Sequence, residues 1–346
     1  MSERVGIVLF NLGGPDNLDA VKPFLRNLFS DKAIIRAPLI VRWPLARLIA
    51  GRRAAYAKEI YASIGGGSPI VKETEAQARA LEAALAQEGI EAKAVIAMRY
   101  WHPFAKEAAA ALKAWNPDRI VLLPLYPQFS TTTTQSSLDD WAREAAKAGL
   151  TAPSAAVCCY PLHRGFIAAY ADLLNASLAE IPPGTTPRIL YSAHGLPERI
   201  VEAGDPYPVQ VVAGAKAIAA ASGTEAIDSR VTYQSRVGPL KWIGPDTDTE
   251  IEEAARAGLV PVVVPLAFVS EHSETLYELD QIYRASALEA GAPAYIRVPA
   301  TGTHPAFIGA LADLTRQMLA RSGLAPDPAW PGCGTAAACP CLQRAA

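Results

Sequence analysis

Arg188-Ile189-Leu190-Tyr191-Ser192-Ala193-His194-Gly195-Leu196-Pro197 reads as an apolar strand that ends on a histidine and then turns sharply through glycine and proline. Val5-Gly6-Ile7-Val8-Leu9-Phe10-Asn11-Leu12-Gly13 echoes it. Ile120-Val121-Leu122-Leu123-Pro124-Leu125-Tyr126 is echoed in turn by Val262-Val263-Val264-Pro265-Leu266-Ala267-Phe268. These repeats place strands at 5–11, 120–125, 189–193 and 259–266, and similar runs at 94–100, 156–160, 230–234 and 294–298 bring the count to eight. Segments with apolar spacing near 3.6 fall between most of them, at 73–87, 104–115, 164–178, 209–221 and 275–290. Alternating strands and helices imply parallel sheets covered on both faces. The expected class is α/β, with two Rossmann-like, doubly wound lobes, each a four-stranded parallel sheet flanked by helices. The first lobe is expected over 1–165, the second over 166–322 with His194, and a tail over 323–346; Pro182-Pro183-Gly184 marks the approach to the second lobe.

Composition narrows the function. The 346 residues are 51% hydrophobic and 19% charged, with a formal net charge of −2, so no global field draws nucleic acid or another polyanion. The opening Met1-Ser2-Glu3-Arg4 runs into a short apolar strand and lacks the length and cleavage site of a signal peptide, which favours the cytoplasm. The longest apolar run, 258–269, is broken by Pro261 and Pro265 and is shorter than the roughly 18 residues of a spanning helix. Any membrane contact is therefore peripheral. Residues 34–49 mix Ile, Leu, Val, Trp43 and Pro with Arg36, Arg42 and Arg47 and lead into Arg52-Arg53. They read either as a lip over a hydrophobic ligand or as an amphipathic helix packed on the core.

Ligands in open α/β sheets bind outside the carboxyl ends of the strands, so His194 and the later cluster Glu271-His272-Ser273-Glu274 belong to one candidate site for a metal and for protons. An imidazole there titrates near neutrality and serves as base or ligand, and the carboxylates supply a proton or cation path. A lone histidine in such a place is more often structural; the pairing is what counts. Glu278 and Asp280 fit the first turns of a helix, with Glu278 available as a relay. Gly65-Gly66-Gly67-Ser68-Pro69 lacks the lysine of a P-loop, and Asn11-Leu12-Gly13-Gly14-Pro15 lacks the third glycine of a dinucleotide fingerprint. Arg52 and Arg53 can pair with carboxylates or form a solvated face. Tyr126, followed by Ser130 and four threonines, offers an aromatic wall with hydroxyls or a helix cap. Arg99-Tyr100-Trp101-His102 and Trp242 add flat surface suited to a planar ring.

Cys333, Cys339 and Cys341 lie close enough together to ligate one centre, and the Cys339-Pro340-Cys341 spacing hinders a mutual disulfide. A fourth thiol must come from Cys158 or Cys159, for an iron-sulfur cluster or a zinc site.

Taken in order, Leu12-Gly13-Gly14-Pro15, Arg52-Arg53, 64–70, Arg99-Tyr100-x-His102-Pro103, Tyr126-Pro127-Gln128, Ser192 to Pro197, Gly204-Asp205-Pro206-Tyr207, Gln234 to Pro239 and His272 to Asp280 resemble the ferrochelatases, over about residues 5–319. The resemblance implies a lyase that inserts Fe(II), as substrate, into protoporphyrin IX at the end of heme synthesis. It implies that His194 accepts pyrrole protons, that Glu274 binds iron or relays protons with His272 and Glu271, and that Arg99 and Tyr100 face the opposite side of the ring. Arg53 and Ser68 would hold the propionates, Tyr126 and Trp242 would line the ring, and the lip would touch the inner face of the cell membrane. A homodimer and a 2Fe-2S cluster are further expectations. The tail departs from the better known Cys-x2-Cys-x4-Cys spacing, and Thr131 stands where those relatives have their remote cysteine. Cys158 is the expected fourth ligand. Coproporphyrin chelation, cobalt insertion and non-catalytic porphyrin carriage are the alternatives.

Overall fold

A computed structural model of the chain describes residues 3–236 and 240–332. The chain forms two compact units, the first from 1–126, 130–158 and 311–325, the second from 127–129, 159–310 and 326–346. The first unit holds a parallel sheet built from β1 (Arg4–Asn11), β2 (Glu91–Met98), β3 (Arg119–Pro124), β4 (Ser154–Val157) and β9 (Gly323–Ala325), in the order β2-β1-β3-β4-β9. The second holds β5 (Pro187–His194), β6 (Ser229–Gln234), β7 (Val260–Pro265) and β8 (Ile296–Arg297), in the order β6-β5-β7-β8.

The α/β class and both parallel sheets agree with the sequence reading, with one difference in strand number. The first sheet has five strands, because Gly323–Ala325 adds to β4. Three residues between an exposed turn and a proline carry too little pattern to be read as a strand. The echoed segments are topological equivalents: β1 and β5 are the second strands of their sheets, and β3 and β7 the third.

These strands lie in the middle of covered sheets, so they are buried along nearly their whole length and read as continuous apolar runs rather than alternating ones. In the first unit Phe10, Leu112, Ile120, Leu122 and Trp141 form one cluster; in the second Leu190, Ile251, Val263, Leu279 and Tyr295 form another. Two prolines are accommodated in β7 although it is a central strand. Val260 and Leu266 donate their N–H groups to Thr186 and Ser192 on the β5 side. By alternation the nitrogens of Pro261 and Pro265 face the β8 side, where β8 pairs only with Val262 and Val263 and needs no donor from either proline.

The helix Leu39–Ser63 inverts the usual amphipathic pattern. Its buried positions include Ala46, Ala50 and Ala54, spaced one turn apart, while Leu39, Ile40, Val41, Trp43 and Leu48 are exposed, Ile40 to 84%. Small residues let this helix approach its neighbour, and the large apolar side chains are left on the outside.

Candidate functional site

His194 is the last residue of β5, and residues 266–274 follow the end of β7, the adjacent strand. The chain leaves β5 for β6 on one side of the sheet and returns from β6 to β7 on the other. The crevice at their carboxyl ends is therefore the switch point where open parallel sheets bind ligands. Immediately after His194, Gly195 donates its N–H to Gln234 O at 2.8 Å, and a Cβ there would lie 3.0 Å from that oxygen and 3.3 Å from the Trp242 ring. No other residue fits this turn without displacement. Pro197 and Trp242 form an antiparallel bridge, which holds the indole beside the histidine turn.

His194 Nε2 lies 3.5 Å from Glu274 Oε1, and its Nδ1 is 2.6 Å from Gly195 O. A carbonyl only accepts, so Nδ1 carries a hydrogen and Nε2 is the atom whose proton comes and goes. Burial disfavours the charged imidazole, but the Glu274 charge and hydrogen bond outweigh it and raise His194 to about 9. Burial likewise opposes the Glu274 carboxylate, and His194 overrides it, lowering the group to about 2. The pair is thus an ion pair near neutrality.

His272 behaves differently. It is buried, burial pushes its pKa below the ordinary value, its Nδ1 accepts from Glu274 N at 3.2 Å, and its ring meets Phe268 edge-on at 4.5 Å. It is a neutral imidazole that fixes the backbone under Glu274. Glu271 Oε1 accepts from Arg297 Nη1 at 2.6 Å and from Ala300 N at 3.0 Å, and Arg297 holds its carboxyl below the usual range despite burial.

Glu274 opens a π-helix, Glu274–Tyr283, whose wider winding occurs where function displaces regular geometry. Glu278 in that helix accepts from Ser235 N (2.8 Å), Ser235 Oγ (2.5 Å), Gln234 Nε2 (3.2 Å) and Tyr283 OH (2.8 Å). Burial, reinforced by the Glu274 charge, raises its pKa. Ser235 holds φ at 62°, a conformation that aims both of its donors at Glu278. Gln234, Ser235, Tyr283 and Arg297 are site residues that reasoning on the sequence missed as individuals. Only the Gln234 to Pro239 string hinted at two of them.

In the first unit, Arg99 gives Nη2 to Asp31 Oδ2 at 2.8 Å and Nε to Ser136 Oγ at 2.8 Å, while the Tyr100 and Ser136 hydroxyls donate to the same Asp31 oxygen at 2.8 and 2.7 Å. Burial opposes the Asp31 charge, yet Arg99 and these donors keep its pKa lowered. Tyr100 is fully buried, and its hydroxyl is committed to Asp31. Asp31, Arg99, Thr131, Ser136 and Asp140 line a cavity of about 720 Å³ together with Arg36 and Arg143. Tyr126 packs against the sheet core, and buried Ser130 closes a local turn with Thr132, Oγ to Oγ1 at 2.8 Å. Ser68 sits where two glycine loops cross: Gly67 packs on Asp16 O, and Gly14 packs on Ser68. The glycines of both strings serve this close crossing. Arg52 and Arg53 are exposed, with the Arg53 guanidinium 5.9 Å from the Phe29 ring.

A ferrochelatase family model matches residues 4–319. The chain belongs to the ferrochelatase family. The ferrochelatase of Phenylobacterium zucineum is 53% identical over 94% of this chain and 95% of its own, and that of Caulobacter vibrioides strain NA1000 is 51% identical over 100% and 99%. Among solved structures, the sirohydrochlorin chelatase SirB from Bacillus subtilis subspecies spizizenii in complex with cobalt aligns over 91% of this chain and 94% of that one, with TM-score 0.51 and 11% identity, a likeness of fold alone. As a ferrochelatase family member the chain is a metal-chelatase enzyme. Among the described residues no group of three or more His, Cys, Asp or Glu is arranged to hold a metal ion. Cys158 and Cys159 are both buried; Cys333, Cys339 and Cys341 lie outside the described residues. No described helix is long and apolar enough to cross a membrane.

Proposed function

We propose that this chain inserts ferrous iron into protoporphyrin IX and releases the two pyrrole protons, completing heme. The observation that carries the reading is the His194–Glu274 pair, 3.5 Å apart at the switch point of a parallel sheet, in a chain of the ferrochelatase family. Each pyrrole N–H must lose its proton while the nitrogen keeps the electron pair and forms a bond to iron. His194 Nε2 is the atom that can take that proton, because Nδ1 is held by Gly195 O. In the ion pair Nε2 is already protonated, so it must first release that proton to solvent, which iron bound at Glu274 favours by neutralising the charge that holds it. Glu274, ionised throughout the neutral range, offers oxygen to the incoming iron and relays the Nε2 proton onward without holding it. His272 and Glu271 support it, the first through the Glu274 amide and the second through Arg297. From the ferrochelatase resemblance, Arg52, Arg53, Ser68, Arg99, Tyr100, Tyr126 and Ser130 are candidate substrate residues, of which Arg52 and Arg53 are exposed while Tyr100 and Ser130 are buried and act through their neighbours. Trp242 packs on the Gly195 turn that follows His194.

The exposed Leu39, Ile40, Val41 and Trp43, with Arg42 and Arg47 beside them, suit a peripheral helix at an anionic lipid surface, from which an apolar porphyrin is taken up on the cytoplasmic side. A 2Fe-2S cluster fits the donor set. The chain leading to the tail cysteines passes the candidate fourth ligand, with Cys158 N–H donating to Ala325 O at 2.7 Å and Asp327 N–H to Cys159 O at 2.9 Å. Bound there by Cys158, Cys333, Cys339 and Cys341, it would supply four thiolate-iron bonds that fasten the tail. Cys158→Ser is expected to abolish its visible absorption, with Cys159→Ser as control; an unchanged spectrum in Cys158→Ser rejects the assignment.

The test of the activity is an anaerobic assay of Fe(II) with protoporphyrin IX and coproporphyrin III. His194→Ala is expected to lose turnover and to retain porphyrin binding. Full rates in His194→Ala would remove the base from the reading, and preference for coproporphyrin III or Co(II) would replace the substrate.

A further inference from the structure

β8 contributes only two residues to its sheet, yet the second, Arg297, makes three charge-assisted contacts to a single stretch of chain. Its Nη1 donates to Glu271 Oε1 at 2.6 Å, while Nε and Nη2 grip both oxygens of Asp280 at 2.8 and 2.7 Å. Glu271 and Asp280 bracket the segment that carries His272 and Glu274. The guanidinium is mostly buried, with its side chain 11% exposed, and the two carboxylates raise its pKa further against the opposing effect of burial.

The backbone around Arg297 is fixed independently of this segment. Arg297 pairs with Val263 in β7, and Val298 donates its N–H to Val263 O at 2.9 Å. Tyr295, just ahead of β8, acts on the same helix, since its OH donates to Leu279 O at 2.9 Å. Beyond the helix's own i to i−5 bonds, Arg297 ties it from outside at Glu271, three residues before its first residue, and at Asp280 within it. That first residue is Glu274.

We propose that Arg297 is a positioning residue for iron insertion, clamping Glu271 and Asp280 so that Glu274 is held against His194. The proposal rests on the reading of His194 and Glu274 given above. A planar fork that engages both carboxylates fixes distance and angle together, whereas an ammonium reaches one of them. Misplacement by about 1 Å is enough to cost on the order of 100-fold in rate.

Steady-state anaerobic chelation with Arg297→Met, Arg297→Lys, Asp280→Asn and His194→Ala separates the possibilities. Arg297→Met is expected to lose about 100-fold in kcat with KM for protoporphyrin within about twofold, and Arg297→Lys to recover about tenfold of that loss. Asp280→Asn lowers kcat in the same sense, and the double variant Arg297→Met/Asp280→Asn is no worse than Arg297→Met, because both act through one clamp. Unchanged kcat in folded Arg297→Met, a loss confined to KM, a loss that only tracks the unfolded fraction, or additive losses in the double variant would each overturn it. If Arg297→Met does not fold, Asp280→Asn decides, and unchanged kcat there overturns the proposal. Retained turnover in His194→Ala would instead sink the underlying reading of the site.

Discussion

Gly14 lies against Ser68 so closely that a Cβ on the glycine would stand 2.5 Å from the Ser68 Cβ. Two loops from opposite sides of the helix Leu39–Ser63 in the chain cross there, and Ser68 N–H donates to Pro15 O at 2.7 Å. Gly14→Ala is expected to force the loops apart and to cost about 1–3 kcal/mol of stability. Denaturant titration measures the loss. Because Ser68 moves with the loop, KM for protoporphyrin should rise more than kcat falls; an unchanged KM would detach Ser68 from the substrate.

The His194–Glu274 pair makes a signed expectation about pH. His194 is raised to about 9 in the folded chain against an ordinary value of 6.5, so its contribution to stability is complete below about 6.5 and is lost as pH rises through about 9. Glu274 is lowered, so its contribution is complete above about 4.5 and disappears as pH falls toward about 2. In Glu274→Gln the largest raising influence is gone while burial stays and only the Gly195 carbonyl and the Glu278 charge still oppose it, so the His194 titration followed by NMR should move well down from about 9. A midpoint remaining near 9 would show that Glu274 is not what holds the proton.

Asp31 is the hub of the first unit's polar cluster, accepting from Arg99, Tyr100 and Ser136 through one oxygen. Asp31→Ala leaves Arg99 with only Asp140 at 3.8 Å and Ser136 Oγ and takes the acceptor from two hydroxyls, with an expected cost of about 2–3 kcal/mol. Asp31→Asn keeps the shape and should cost less. Chemical denaturation of the two variants, compared with Arg99→Lys, tests this ordering.

On the helix Leu39–Ser63, replacing Ile40, Val41 and Trp43 together by serine removes exposed apolar surface without touching the buried alanine face. Cosedimentation with anionic vesicles is expected to fall at least about tenfold, while the thermal midpoint and turnover with detergent-dispersed protoporphyrin stay within error. Undiminished cosedimentation would assign that surface to something other than lipid.

Much of this was legible in the sequence because burial on both faces writes a plain signal. β1, β3, β5 and β7 are continuous apolar runs, and their repeat pointed to two parallel sheets, whose matching strand orders the structure adds. His194 and Glu274 were found as strand-end residues, and the structure brings them together. The rest depended on contacts across many residues of chain. Arg297 looked like an ordinary strand residue, although it joins Glu271 and Asp280. Tyr100 was read as flat surface for a planar ring, although Asp31 draws its hydroxyl inward. The helix expected over 275–290 begins as a π-helix and becomes α-helical at Arg284, a change of winding that side-chain periodicity does not encode.

The strand Gly323–Ala325, far from β4 in the chain, seals its flank. Those residues follow β5 to β8 in the chain, so the first sheet waits for the whole of the second to be synthesised before its border is closed. Until then Ser154–Val157 presents unpaired amides and carbonyls to any passing strand. Trimming the protein before residue 323 therefore threatens solubility through its first half, far from the cut in sequence.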